Sequence, residues 1–206
     1  MSIKLFKTPR FFRWIFPRRT WGFSRKKNAV YLTFDDGPQE FITPWVLDLL
    51  KEKKIQATFF CVGNNIINQP EIVTRIKLEG HIIANHSMNH ENGLKTNSKA
   101  YFNSIESVGV MLDNNLFRPP YGRLSSFQSI HLSKKYKIIM WSWLSYDFDR
   151  AVSIEKILQK AKKQIKAGDI IVFHDNIKTF DRLQLLLPEV IAIIKSKNLS
   201  FELIRL

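Results

Sequence analysis

The sequence is short of several things, and each shortage removes a class of protein. It has one cysteine, Cys61, in 206 residues, so an intrachain disulfide scaffold is excluded and the redox compartment stays open. Cys61 follows Phe59-Phe60 in an apolar run, where a thiol is expected to be buried and inert. No stretch reaches the ~18 apolar residues that a membrane-spanning helix requires. The N-terminus has charge but no continuous apolar run of the kind a secretory signal carries. Export by the usual route is therefore not expected; a cytoplasmic or membrane-peripheral location is. No internal repeat, low-complexity segment or linker divides the chain. At 45 % hydrophobic and 24 % charged residues, it reads as a globular protein of single-domain size.

Acids are missing from residues 1–27, which hold nine lysines and arginines and leave +5 of the +14 formal net charge for the rest. Phe6, Phe11, Phe12, Trp14, Ile15, Phe16 and Trp21 lie among those charges. In one reading the aromatics cap the bottom of the domain core while the basic groups face water. In the other, the arm makes peripheral contact with an anionic membrane, since mixed aromatic and basic residues suit that interface. No specific nucleic-acid motif is present, and basic charge alone reports only non-specific attraction. The chain thus divides into a basic aromatic arm, residues 1–28, and a domain, residues 29–206.

Beyond the arm, apolar runs of β type alternate with helical patterns. Strands are predicted over 29–34, 57–62, 81–85, 115–118, 137–143, 169–174 and 200–205. Most are apolar on both faces, as parallel strands covered by helices are. Helices are predicted from a Thr43 cap with Pro44 at the first position to about Lys53, over 70–78 with Gly80 as the stop, and over 98–112, 125–135, 153–166 and 181–197. This alternation indicates a parallel α/β fold, either a closed or distorted barrel or an open doubly wound sheet. A full eight-fold barrel typically needs ~250 residues, so the spacing is tight.

The unusual polar residues fall at strand ends, and in such folds the C-terminal strand ends converge on the face that holds active sites. Asp35-Asp36-Gly37-Pro38 follows the first strand. Adjacent carboxylates repel and are costly to bury without a cation. A divalent ion would hold one and leave the other for proton transfer; the plain alternative is an Asp-Gly turn. His86 and His90 are spaced to share one side of a helical turn. With one carboxylate they make a three-ligand metal site with open positions; alone they are two surface histidines. His174 ends an apolar strand as either a structural residue or a general acid. Arg118-Pro119-Pro120-Tyr121-Gly122 is a rigid loop whose amides are suited to an oxyanion, or simply a stiff loop. Asp147 and Asp149 follow the 137–143 strand.

Thr33-Phe34-Asp35-Asp36-Gly37-Pro38, His86-Ser87-x-x-His90, Arg118-Pro119-Pro120-Tyr121-Gly122 and Val172-Phe173-His174, in that order, resemble the motifs of the polysaccharide deacetylases, the fourth family of carbohydrate esterases. The resemblance spans roughly residues 29–206. It implies a distorted (β/α)7–8 barrel of parallel strands in one domain. It implies one divalent metal ion, usually zinc, held by Asp36, His86 and His90. Asp35 looks like the general base, His174 like the general acid and Arg118 like the group that orients Asp35. The Tyr121 amide would face the oxyanion, and Asp147 would support His174, with Asp149 in the same network. One motif is only partly kept: Leu144 stands where the family has a first aspartate, and Phe148 where it has Trp. Val172 stands at a leucine-like position.

The expected activity is hydrolytic removal of an acetyl group, N-acetyl first, from a sugar or polysaccharide, with an acetylated glycan as partner. The alternatives are a metal-dependent amidohydrolase of another N-acyl compound and a non-catalytic carbohydrate-binding relative.

Overall fold

All seven side chains from Ala29 to Asp35 are buried. Such a strand can only be central, packed against the interior of a sheet on one face and against helices on the other. The structure, a computed structural model, describes residues 4–205. Residues 1–3 of the expected arm and 206 of the expected domain lie outside the described residues.

The described residues form nine strands: β1 (Arg19–Thr20), β2 (Ala29–Asp35), β3 (Thr58–Cys61), β4 (Ile82–Asn85), β5 (Leu116–Phe117), β6 (Lys137–Ile139), β7 (Trp143–Leu144), β8 (Ile170–His174) and β9 (Ser200–Phe201). All their pairings are parallel, in the order β1-β6-β5-β4-β3-β2-β8-β7, with β9 beside the start of β2. The helices are α1 (Phe12–Ile15), α2 (Ile42–Lys53), α3 (Gly63–Asn68), α4 (Pro70–Leu78), α5 (Ser98–Gly109), α6 (Ser126–Leu132), α7 (Ile154–Gln164) and α8 (Phe180–Ser196). The result is the expected distorted barrel of parallel strands in one domain. The largest core cluster packs β2, β3 and β8 against α2, α7 and α8 through Phe34, Phe59, Phe173, Leu47, Ile157 and Leu187.

Two strand expectations need correcting. Residues 137–143 are not one strand. Ile139 ends β6, which pairs with β5 and β1, and Trp143 begins β7, which pairs with β8 at the other end of the order. The sheet curls until its ends approach, and Met140-Trp141-Ser142 crosses the seam. Met140 N–H donates to Thr20 and Ser142 N–H to Ile170, one on each side. The 200–205 run also shortens to the two residues of β9.

The arm fills this seam. β1 lies along β6, Lys7 makes an antiparallel bridge to Trp143, and Phe6 accepts from the Leu144 N–H at 3.0 Å. Phe6 and Trp21 are buried, whereas Phe11, Trp14 and Ile15 are exposed by 49 %, 84 % and 58 %. The arm's aromatics thus divide between core and solvent.

Helix ends follow local chemistry. Asn97, Ser125 and Ser153 cap α5, α6 and α7, and Ser125 and Gln128 form a reciprocal capping box. Thr43 does not cap α2, which begins at Ile42; its hydroxyl accepts from the Gln39 N–H and donates to Asp175.

Candidate active site

Register brings two of the singled-out residues side by side. β2 and β8 pair with Asp35 opposite His174, and on neighbouring parallel strands that alignment sends both side chains to the same face. Likewise β4 and β5 pair Asn85 with Phe117, so the next residues, His86 and Arg118, meet. Asp35, Asp36, His86, His90, Tyr121 and His174 line one cavity of about 900 Å³ at the C-terminal strand ends. Arg118 and Asp147 stand behind that wall, fully buried.

His86 and His90 do converge, with ring centroids 5.1 Å apart, but not on a helical turn. They sit on a loop after β4 in which Ser87 and His90 take left-handed backbone angles. Asp36 and Tyr121 are also left-handed. Such angles are costly for non-glycine residues and persist where surrounding structure enforces them. For Asp36, Asn65 does part of that work, its side-chain amide donating to the Asp36 carbonyl at 2.7 Å.

Asp36 Oδ1 lies 3.0 Å from His90 Nε2 and 3.6 Å from His86 Nε2, and the three residues offer one atom each within 4.8 Å of one another. His86 Nδ1 is 2.8 Å from the Arg118 carbonyl. A carbonyl only accepts, so Nδ1 carries the hydrogen and Nε2 of the neutral ring presents a lone pair. Burial pushes His86 down to about 4, against the pull of Asp35 and Asp36, which keeps the ring neutral. Its lone pair therefore faces a carboxylate oxygen that is buried without a hydrogen-bond partner. Acceptor facing acceptor is repulsive unless a cation lies between them. These residues fit a divalent ion.

Burial opposes ionisation of Asp36, but the three neighbouring histidines outweigh it and hold its carboxyl well below the usual carboxylate range. Asn176, which the sequence reading missed, donates to its other oxygen, Oδ2, at 2.5 Å. Asn after a strand is an ordinary turn residue, so nothing in the pattern singled it out.

Arg118 is completely buried. It donates to Asp35 Oδ1 at 2.5 Å, to the Thr33 hydroxyl at 2.8 Å, and to the carbonyls of Ile139 and Met140. Its guanidinium also lies 4.0 Å from the centroid of the Phe60 ring. Asp35 is thus held on one oxygen.

His174 is held by Asp147. Burial works against a charged ring, but the Asp147 carboxylate and its hydrogen bond push His174 up to about 10. Phe148 meets the His174 ring edge-on at 5.2 Å. Asp149 does not join this network; it pairs with Lys4 and accepts from the Ala151 N–H.

Tyr121 is exposed, and its hydroxyl lies 3.1 Å from His90 Nδ1. The turn spends the N–H groups of Gly122 and Arg123 on Pro119 and Pro120, and among the described residues no carbonyl takes the Tyr121 N–H. Behind the Asp pair, Asp175 accepts from the Gly37 N–H and the Thr43 hydroxyl. A side chain at Gly37 would put its Cβ 2.1 Å from Asp175 Oδ2, so close approach requires glycine there.

Residues 23–138 match the family model described as polysaccharide deacetylase. A peptidoglycan-N-acetylglucosamine deacetylase of Bacillus cereus is 33 % identical over 184 residues, covering 83 % of this chain and 85 % of its own. A chitooligosaccharide deacetylase of a Bradyrhizobium species is 32 % identical, covering 77 % and 75 %. The crystal structure of the Bc1960 peptidoglycan N-acetylglucosamine deacetylase superposes with a TM-score of 0.81 at 30 % identity, over 96 % of this chain and 95 % of that one. The motifs, the barrel and these likenesses agree: the chain belongs to the polysaccharide deacetylase family, a group of carbohydrate-deacetylating hydrolases.

Proposed function

We propose that this chain hydrolyses the N-acetyl group of an amino sugar within a peptidoglycan- or chitooligosaccharide-like glycan. The observation that carries this reading is the placement of Asp35 and His174 on facing register positions, beside the Asp36, His86 and His90 cluster.

Asp36, His86 and His90 would hold a divalent cation, and two imidazoles with one carboxylate suit zinc. Such an ion, when bound, supplies Lewis acidity that polarises an acetyl carbonyl and acidifies water. Asp35 takes the proton of the attacking water. Arg118 keeps Asp35 in place from behind, leaving one oxygen for that proton. The free Tyr121 N–H donates to the developing oxyanion, an interaction typically worth about 3–4 kcal/mol. His174, held protonated by Asp147, gives its proton to the departing amine. Without that donation the leaving group would be an amide anion, so the acid is required. The products are acetate and a free amino sugar.

Leu144, Phe148 and Val172 line the same cavity and give the acetyl methyl an apolar surround. The test is acetate release across a panel of N-acetylated glycans and small N-acyl compounds, with and without chelator. Glycan turnover abolished by chelator and restored by zinc supports the assignment. Turnover confined to non-glycan amides, or none at all, removes it.

A further inference from the structure

Away from the active cavity, the arm and the barrel enclose a second cavity of about 260 Å³ where the seam closes. That space equals several water molecules' share of volume. Lys7, Arg10, Arg13 and Arg25 contribute to its wall, and among the described residues Asp169 is the only acid there. Asp169 is already engaged: it pairs with Lys7 and accepts from the Ser142 hydroxyl and the Lys166 N–H. Among the described residues no carboxylate pairs with Arg10, Arg13 or Arg25. The cations also feel one another. Burial first, then the charge of Arg10 and, more weakly, Arg25, lower Arg13 despite Asp169.

Two further observations point to a missing anionic partner. Trp21 forms part of the wall and is 7 % exposed, and its indole N–H is buried with no acceptor. A buried donor of this kind is costly unless something accepts from it. Gly22 also lets the Arg13 guanidinium lie close against the backbone beside Gly168, since a Cβ there would lie 2.7 Å from that guanidinium and 2.9 Å from the Gly168 carbonyl. A net-positive cluster of exposed, carboxylate-free arginines beside a buried indole N–H without an acceptor suits a tetrahedral oxyanion.

We propose that this seam cavity binds a phosphate group, clasped by Arg10, Arg13 and Arg25 with the Trp21 indole N–H. Its source is either a soluble phosphate compound or the headgroup of an anionic lipid. Phe11, Trp14 and Ile15, exposed around Arg10 and Arg13, give a lipid headgroup an apolar neighbour that a free phosphate would not use.

The experiment uses the whole chain. Thermal unfolding is followed against inorganic phosphate, with sodium chloride at matched ionic strength as the reference. Flotation is measured with vesicles of phosphatidylcholine alone and with added phosphatidylglycerol. Saturable stabilisation by phosphate is expected, weakened about tenfold or more in apparent affinity by the double change Arg10→Gln and Arg13→Gln. Trp21→Phe removes the N–H together with part of the buried indole bicycle, so its unfolding without phosphate measures the lost packing and its phosphate-induced shift measures the lost ligand contact. It should weaken phosphate binding several-fold. Flotation with phosphatidylglycerol that the same changes abolish assigns the source to lipid; phosphate stabilisation without flotation assigns it to a soluble compound. Neither phosphate stabilisation nor flotation in the unaltered protein overturns the proposal, as does phosphate binding untouched by all three changes.

Discussion

Asp147 grips His174 with both of its oxygens: Oδ1 lies 2.8 Å from the ring Nδ1, and Oδ2 accepts the backbone N–H at 2.7 Å. One carboxylate therefore sets both the rotation of the ring and its tautomer, leaving Nε2 as the other polar atom of the ring. It also sets the proton affinity, since His174 is pushed up to about 10 although burial opposes it. Asp147→Asn keeps the shape and removes the charge. The alkaline limb of the activity profile, where His174 loses its proton, should then move to lower pH. An unmoved limb would detach that limb from His174. Stability has the same sign. A histidine whose folded pKa is raised stabilises the fold fully below its unfolded value of about 6.5 and loses that contribution as pH rises through the folded value. The gap in unfolding temperature between the parent and Asp147→Asn should therefore be widest below about pH 6.5 and narrow toward pH 10.

Arg118 and Asp35 form a buried ion pair, and the two halves predict different losses. Asp35→Asn removes the proposed base and leaves a neutral partner, so turnover should fall by ~10²-fold or more with metal content retained. Arg118→Met strands a buried carboxylate and leaves the Ile139 and Met140 carbonyls without their donor. Breaking such a pair from one side typically costs about 3–5 kcal/mol, which a urea titration would register. A stable Arg118→Met protein would mean that the pair is more solvated than the zero exposure of Arg118 implies.

Asn176 holds Asp36 Oδ2 and so aims Oδ1 at the two imidazoles. Partners that orient a metal ligand are typically worth 10–100-fold in affinity. Asn176→Ala should weaken zinc binding by about that factor in a competition titration, whereas His86→Ala should abolish stoichiometric binding. Equal zinc affinity in Asn176→Ala and the parent would leave Asn176 as a turn residue only.

Much of this centre was legible because strand ends are poor places for idle polarity. Asp35, Asp36, His86, Arg118 and His174 each interrupt or end an apolar run, and a parallel fold gathers such interruptions on one face. The spacing of His86 and His90 gave their convergence correctly and its cause wrongly. Four residues bring two rings together on a helix, but here left-handed Ser87 and His90 fold a loop to the same end. The seam was illegible for another reason. Residues 137–143 read as one β run because each is locally suited to a strand; which neighbours they pair with depends on how far the whole sheet curls. The helix Gly63–Asn68 escaped notice because Gly-Asn-Asn reads locally as a turn. Asn176 escaped because its value lies wholly in the carboxylate across from it.

The seam itself makes a quantitative prediction, because the arm contains residues that differ in what they touch. Phe6 is 2 % exposed, packs against Trp143 and Tyr146 with ring centroids 6.3 and 4.8 Å away, and its carbonyl receives the Leu144 N–H. Trp14, eight residues on, is 84 % exposed. Phe6→Ala should cost about 3–5 kcal/mol, the usual loss for a buried aromatic, whereas Trp14→Ser should stay within about 0.5 kcal/mol, as exposed substitutions do. Phe6→Ala should also reduce turnover beyond its effect on folded fraction, because the strand it braces, Trp143–Leu144, leads directly into Asp147. Denaturant titrations of the two variants, with activity measured on the folded fraction, decide the matter. If Phe6→Ala were as mild as Trp14→Ser, the arm would be an appendage that peels away freely, and the barrel would have to close without it.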